Sequence, residues 1–404
     1  MAGISDRDIV EAYQYMLARW LVLRQERRDL DEGFRWNAII HRAPGGVSWA
    51  NPNLDVAYSE AWIAVDDDSA TILDLPEIRD RYYTFQLLNG WSEVVLNINE
   101  RNFPDHAFGR FALCLKGAEV DLPDDVLRVD LPGRKSRLLM RVELGSDPAE
   151  AIRLQKSTTL RATGEPRLPD PVPIDFERFP GAEAFDRTDD VLDDEPDINP
   201  GVASLQVKAR AVAAAMRDPA ERTRIDGVIQ TQAVPTFLDA VKGMGQSVNG
   251  WVRPRIIGNY GSDWQMRTIA NFTGIWANNT REVIYFVARE NDGGKTISLT
   301  FPANASPDQK TRYFWSVIAV DSREFRVIAN PLGRFLLNNQ SGLHRDSDGS
   351  LTLWFAPEKP DASPEPNWLP TPKGGRYNLT FRFYGPSEDV VSGDYFPPPL
   401  REGA

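Results

Sequence analysis

The segment Ala61-Trp-Ile-Ala-Val-Asp-Asp-Asp-Ser-Ala-Thr-Ile-Leu-Asp-Leu75 decides the fold class. Two short apolar runs, Ala61 to Val65 and Ala70 to Leu75, flank an acidic turn, Asp66 to Ser69, and this spacing predicts a β-hairpin. The pattern continues outward. Tyr82 to Leu88, Val94 to Ile98, Phe111 to Leu115, Val126 to Leu131 and Leu138 to Leu144 read as strands, spaced as in a sandwich or barrel. Residues 47–160 are therefore expected to form a first β unit, with Val47 opening it. A second occupies 251–404, with strands at Val283 to Ala288, Thr296 to Phe301, Tyr313 to Val320, Phe325 to Ile328, Leu351 to Phe355 and Tyr377 to Tyr384. Arg81-Tyr82-Tyr83 and Arg312-Tyr313-Phe314 each open a long apolar strand, which hints that the two units are analogous.

The remaining segments read as helical additions. In the lead-in 1–46, Ser5 and Asp8 form a capping box, and Ile9, Tyr13, Met16, Leu17, Trp20 and Leu21 recur at helical spacing, predicting a helix from Ser5 to Arg28. Arg19, Arg24, Arg27 and Arg28, interleaved with carboxylates, read as its solvated face. Residues 161–250 begin with a Pro- and Asp-rich stretch that reads as an extended connector. Two helices follow, one capped by Asn199 and Pro200, the other opened by Asp218 and Pro219, interrupted by Pro235 and ended by Gly243.

Forty-six Lys and Arg against 58 Asp and Glu give a net charge of −12, so the surface repels phosphate backbones and anionic lipid, which argues against nucleic-acid and membrane partners. No stretch approaches the ~18 apolar residues of a membrane span, and the first residues carry no export signal, which predicts a cytoplasmic protein. One cysteine, Cys114, and three histidines, His41, His106 and His344, are too few for a zinc site of the usual ligand set. No glycine fingerprint for a nucleotide is present, so no cofactor is expected, and no metal ligand set is assigned, with a carboxylate-rich calcium or magnesium site left open.

Asn51-Pro-Asn-Leu-Asp-Val-Ala-Tyr-Ser-Glu-Ala-Trp62 and Arg81-Tyr-Tyr-Thr-Phe-Gln86 resemble the bacterial family catalogued as domain of unknown function 1254. Tyr260-Gly-Ser-Asp-Trp-Gln-Met-Arg267, Tyr313-Phe-Trp-Ser316, Asn330-Pro-Leu-Gly-Arg334 and Asn367-Trp-Leu-Pro-Thr-Pro372 resemble its usual companion, domain of unknown function 1214. The resemblance implies two jelly-roll-like β-sandwich units with helical additions and brings no agreed activity. The chain departs from the family's frequent Asn-Arg-Asp-Thr segment, reading Asn53-Leu54-Asp55-Val56.

Candidate residues lie in these segments. Asp55 is a candidate acid or base beside Asn53, Tyr58 and the wall residues Trp62 and Tyr82; the same residues also fit an Asx-type turn with aromatics in the core. Asp263 is a second candidate carboxylate, with Tyr260 near it, and its spacing predicts an i, i+4 ion pair with Arg267. Asn367 and Trp368 on a proline-locked loop fit either stacking on a flat ligand or a plug at one end of a sandwich, and Arg334 fits an anion clamp or a loop brace. Three readings follow. The first is a cofactor-independent enzyme using carboxylate acid-base chemistry on a small molecule, the second a non-catalytic binder of saccharide or another small ligand, and the third a structural homo-oligomer.

Overall fold

The computed structural model describes residues 3–46 and 51–403, so Val47, the expected start of the first β unit, lies outside the described residues. Helix α1 runs Asp6–Glu32: the Ser5 side chain accepts from the Asp8 amide, and Gly33, at φ 117°, ends the helix in the left-handed region that glycine enters without strain. Then come β1 (Ile40–His41), β2 (Val56–Ala64), β3 (Thr71–Leu75), β4 (Tyr83–Leu88), β5 (Val94–Ile98), β6 (Gly109–Leu115), β7 (Val126–Leu131), β8 (Lys135–Glu143), α2 (Pro148–Ser157) and β9 (Thr159–Ala162). The middle of the chain is helical: α3 (Thr188–Asp194), α4 (Ala203–Ala215), α5 (Pro219–Val228) and α6 (Val234–Gly243). After β10 (Gln246–Val248), β11 (Trp251–Arg253) and α7 (Trp264–Gly274) come β12 (Val283–Asp292), β13 (Ile297–Phe301), β14 (Thr311–Asp321), β15 (Leu336–Asn338), β16 (Leu351–Ala356), β17 (Trp368–Pro370), β18 (Arg376–Pro386), α8 (Glu388–Ser392) and β19 (Arg401–Glu402).

These strands make the same unit twice. The first has an open sheet ordered β1-β2-β8-β4-β5 and a second ordered β7-β6-β3-β9; the other has β10-β11-β12-β18-β14-β15 and β17-β16-β13-β19. Advancing each label of the first unit by ten gives the second, with β10 as an extra edge strand. The parallel pair β6 and β7 is matched by the parallel pair β16 and β17. In each unit both sheets feed one apolar core, with Ile63, Phe85, Phe111 and Met140 in the first and Phe286, Leu299, Phe355 and Phe381 in the second.

The expected hairpin does not form. β2 pairs with β1 and β8, whereas β3 pairs with β6 and β9 in the opposite sheet. Asp66 turns the chain between them, accepting from Ser69 Oγ at 2.6 Å and from the Arg167 amide at 2.8 Å. Phe325 to Ile328 likewise forms no strand beyond a single bridge at Val327, and the strand after β14 lies later, at Leu336–Asn338. The analogy between units holds with a shift of one residue. Thr84 and Tyr58 face Arg141 across their ladders as Ser316 and Tyr285 face Arg382, so Tyr82 corresponds to Phe314 and not to Tyr313. A one-residue slip exchanges the two faces of a strand, which is why the matching triplets mislead.

Helix is as abundant as strand, 29 % against 28 % of residues, because the lead-in and the middle of the chain fold together. α1, α4, α7 and the segment Ala182–Arg187 with α3 enclose one core that includes Tyr13, Trp20, Phe185, Leu205, Ile225 and Trp91. Arg19 is buried rather than solvated: it bonds Gly90 O at 2.6 Å and pairs with Asp194. The acidic run is partly helical, since α3 lies within it. Asn199 does not cap α4, which starts at Ala203; its side chain donates to Glu93 instead. Around Pro235 the helix widens into a π turn at Ile229–Ala233 before α6, as a proline without an N–H demands. Among the described residues no helix is long and apolar enough to cross a membrane.

Candidate functional site

The two units meet over Val56, Tyr82, Val283, Phe314 and Tyr384, and on either side of this contact each unit hands a carboxylate to the other. Glu282, the residue before β12, reaches the first unit. It accepts from Asn99 Nδ2 at 3.0 Å, from Tyr82 Oη at 3.0 Å and from Arg101 Nη2 at 2.7 Å. Asp55, the residue before β2, reaches the second unit. Its Oδ1 accepts from Asn338 Nδ2 at 2.9 Å, and Ser316, the counterpart of Thr84, faces it. Both asparagines are set by the same Asx turn: Asn99 Oδ1 accepts from the Arg101 amide at 3.1 Å, and Asn338 Oδ1 from the Gln340 amide at 2.9 Å.

At Glu282 the half-site is closed. Burial opposes the charge of Arg101, but Glu282 more than offsets it and holds the guanidinium above its ordinary pKa. The Arg101 guanidinium lies 5.1 Å from the centre of the Tyr82 ring and 5.0 Å from that of Tyr313. At Asp55 the half-site is open, and a cleft of about 200 Å³ is lined by Asp55, Glu143, Phe314, Leu336, Asn338 and Gln340 among others. Asp55 is 5 % exposed, and its Oδ2 has no hydrogen-bond partner among the described residues. Glu143 ends β8, opposite Val56; its Oε2 accepts from the Tyr82 amide at 2.8 Å and its Oε1 from Gln340 Nε2 at 3.0 Å. Burial raises the pKa of both carboxyls, and the charge of Asp55 raises that of Glu143 further. Two buried carboxyls of this kind retain a proton where a solvated pair would not.

The other expected residues lie apart from this cleft or beside it. Asn53 braces the junction, accepting from the Asp55 amide at 3.0 Å and donating to Tyr384 Oη. Tyr58 and Tyr82 belong to the inter-unit contact, Tyr58 with the Arg141 guanidinium 5.5 Å from its ring centre. Trp62 is no wall of the cleft: its ring packs against Trp276 and Trp36, and its Nε1 donates to Asp29 at 2.9 Å. The Asp263 and Arg267 side chains do not pair. Asp263 is exposed and caps α7, accepting from the Met266 amide, because an N-cap side chain turns back to the first-turn amides. Arg267 grips Asp197 through both terminal nitrogens, at 2.9 and 2.8 Å, over the Trp91 ring, and Tyr260 is buried in the same helical core. Arg334 bonds the Glu365 and Trp368 carbonyls and so braces its loop. Asn367 is 1 % exposed and staples His344 to Thr352, and Trp368 Nε1 donates to Ala356 O.

Glu143, Glu282, Asn338 and Gln340 escaped the sequence reading. Only strand pairing brings Glu143 to Asp55, and only the doubling of the unit connects Asp55 with Glu282. A further carboxylate stands out elsewhere. Glu195, wedged against Gly90 and Gly133, has a pKa that burial pushes up to about 7, and its Oε2 is unpartnered among the described residues. Among the described residues no group of three or more His, Cys, Asp or Glu is placed to hold a metal ion.

Two family models match the chain, Protein of unknown function (DUF1254) over residues 36–162 and Protein of unknown function (DUF1214) over residues 287–388. A comparison with curated proteins returns no match. Among solved structures, the VPA0106 protein from Vibrio parahaemolyticus is similar at 17 % identity and a TM-score of 0.73, over 99 % of this chain and 100 % of that one. An uncharacterized protein from Burkholderia cenocepacia, at 13 % identity and a TM-score of 0.47, covers 98 % of this chain and 94 % of its own. The first likeness is one of fold.

Proposed function

The chain belongs to the two-domain family of unknown function described by DUF1254 and DUF1214, and from that premise we propose a cofactor-independent enzyme that moves a proton on a small molecule in the cleft at Asp55. One observation carries this reading: Asp55 is buried, holds one oxygen by Asn338, and, among the described residues, leaves Oδ2 without a well-placed donor beside a second carboxyl, Glu143. A carboxyl with a raised pKa is a serviceable base or acid near neutral pH. Oδ2 of Asp55 takes the proton from the substrate, and Glu143, in its protonated form, returns one to the developing anion. Leu54, Leu336 and Phe314 supply an apolar side to the cleft, which excludes water from that side and strengthens the electrostatic interactions within. We read each unit as jelly-roll-like, since its last long strand inserts between two earlier ones, β8 between β2 and β4 and β18 between β12 and β14. Such double sheets present sites at their ends and junctions.

Exchange of carbon-bound hydrogen in D2O, followed by proton NMR across a panel of small polyols, amides and amines, tests the chemistry. The expected result is exchange or conversion of at least one compound, reduced about 100-fold or more by Asp55→Asn. Turnover that persists in both Asp55→Asn and Glu143→Gln places the chemistry elsewhere.

A further inference from the structure

The closed half-site is an internal template for the open one. The strand registers that equate Tyr58 and Arg141 with Tyr285 and Arg382 also equate Asp55 with Glu282 and Tyr82 with Phe314. The shared Asx turns equate Arg101 with Gln340. At Glu282 the chain supplies its own cation, the Arg101 guanidinium, held against a carboxylate and an aromatic ring. At Asp55 the corresponding side chain is the neutral Gln340, exposed at the mouth of the cleft, and Glu143 is the second carboxyl, as Glu100, 2.9 Å from Arg101, is the second carboxyl on the cation of the closed half-site.

We propose that the open half-site binds a small cation, a guanidinium or primary ammonium group on an apolar stem, between Asp55 and Glu143. This rests on the reading of that cleft as the functional site and names its ligand class. Asp55 is 5 % exposed, and its Oδ2 meets no hydrogen-bond donor in good geometry among the described residues, the Ser316 hydroxyl beside the carboxyl being a weak neutral neighbour; at such a buried acceptor a cation gains more than at the surface. Phe314 lies where the Tyr82 ring flanks Arg101, and so offers the bound cation the same aromatic neighbour. The guanidinium groups nearest the pair, Arg382 and Arg81, lower the two carboxyl pKa values, yet their terminal nitrogens bond the carbonyls of Asn51, Pro52, Glu143, Leu144 and Asp147. Neither is hydrogen-bonded to the acceptor that the ligand would use.

The test is calorimetric titration of the full chain with millimolar methylguanidinium chloride at pH 8, with methylammonium as the second cation and urea as the neutral control. The expected result is one saturable cation site, no urea binding, a loss of about tenfold or more in affinity in Asp55→Asn, and abolition in Gln340→Arg, whose guanidinium fills the position. Absence of saturable binding of either cation, or affinity unchanged in Asp55→Asn, overturns the inference. Turnover of a neutral compound that depends on Asp55 without any cation binding also overturns it while leaving the acid-base reading standing. Cation binding that depends on Asp55 without Asp55-dependent turnover upholds the inference and removes the acid-base reading.

Discussion

Glu282 and Asp55 stand at the same place in two copies of one unit, yet one is sealed and the other faces a cleft. Glu282 receives a guanidinium, a phenol and an amide. Asp55 receives an amide, has the Ser316 hydroxyl beside it, and faces a phenylalanine where the phenol would be. The backbone frame is common to both, so the difference lies in a few side chains: Arg101 against Gln340, Tyr82 against Phe314, and Glu143 at the open half-site where the register of the other unit has Tyr384. A duplicated fold thus keeps one junction as a brace and frees the other for a ligand.

Several substitutions can break this contrast or sharpen it. Arg101→Gln makes the closed half-site resemble the open one and leaves Glu282, 3 % exposed at its side chain, without its cation. Urea denaturation should register a loss of about 4 kcal/mol, and a loss below about 1 kcal/mol would mean that Arg101 is no brace. Glu195 asks the same question away from the junction, as a buried carboxyl that, among the described residues, accepts one hydrogen bond, from the Gly90 amide at 3.4 Å. Its folded-state pKa of about 7 lies above the ordinary 4.5, so its stabilising contribution is complete below about pH 4.5 and is lost as pH rises through 7. Wild-type stability should therefore fall by on the order of 3 kcal/mol more than that of Glu195→Gln between those limits, and parallel pH profiles would refute the assignment. Tyr82→Phe copies Phe314 into the closed half-site and removes a hydrogen bond to a carboxylate, at about 2 kcal/mol by the same measurement; no change would show that Arg101 and Asn99 suffice. Gln340→Ala, at the exposed mouth of the open half-site, should alter stability by less than about 0.5 kcal/mol, and a larger loss would show that this position too is structural.

Much of the local structure was legible in the sequence, and the pairing was not. Ser5 and Asp8 announced the start of α1, and the apolar runs at Phe111 and Tyr377 announced β6 and β18, because capping and strand propensity are local. The acidic turn at Asp66 looked like a hairpin because no local signal tells which sheet the next strand joins. Arg19 and Arg267 looked like surface or intrahelical charges, since their partners Asp194 and Asp197 belong to an acidic run that sequence alone presents as solvated. Asp55 was found because it stands among chemically active neighbours in a short segment. Glu143 was missed because the register of β2 against β8 brings it there. The doubling was half visible in Arg81-Tyr82-Tyr83 and Arg312-Tyr313-Phe314, and the register moves that match by one residue.

The most direct test is the same chemical change made in both half-sites, Glu282→Gln and Asp55→Asn, each compared with wild type by urea denaturation at pH 8. Glu282→Gln takes from the part-buried Arg101 its buried carboxylate partner, leaving it only the more exposed Glu100 at 2.9 Å, and should cost about 3 kcal/mol, whereas Asp55→Asn removes a buried charge held by neutral groups and should be neutral or stabilising by about 1 kcal/mol. Opposite responses are what one closed and one open half-site require; equal losses at both positions would contradict the account.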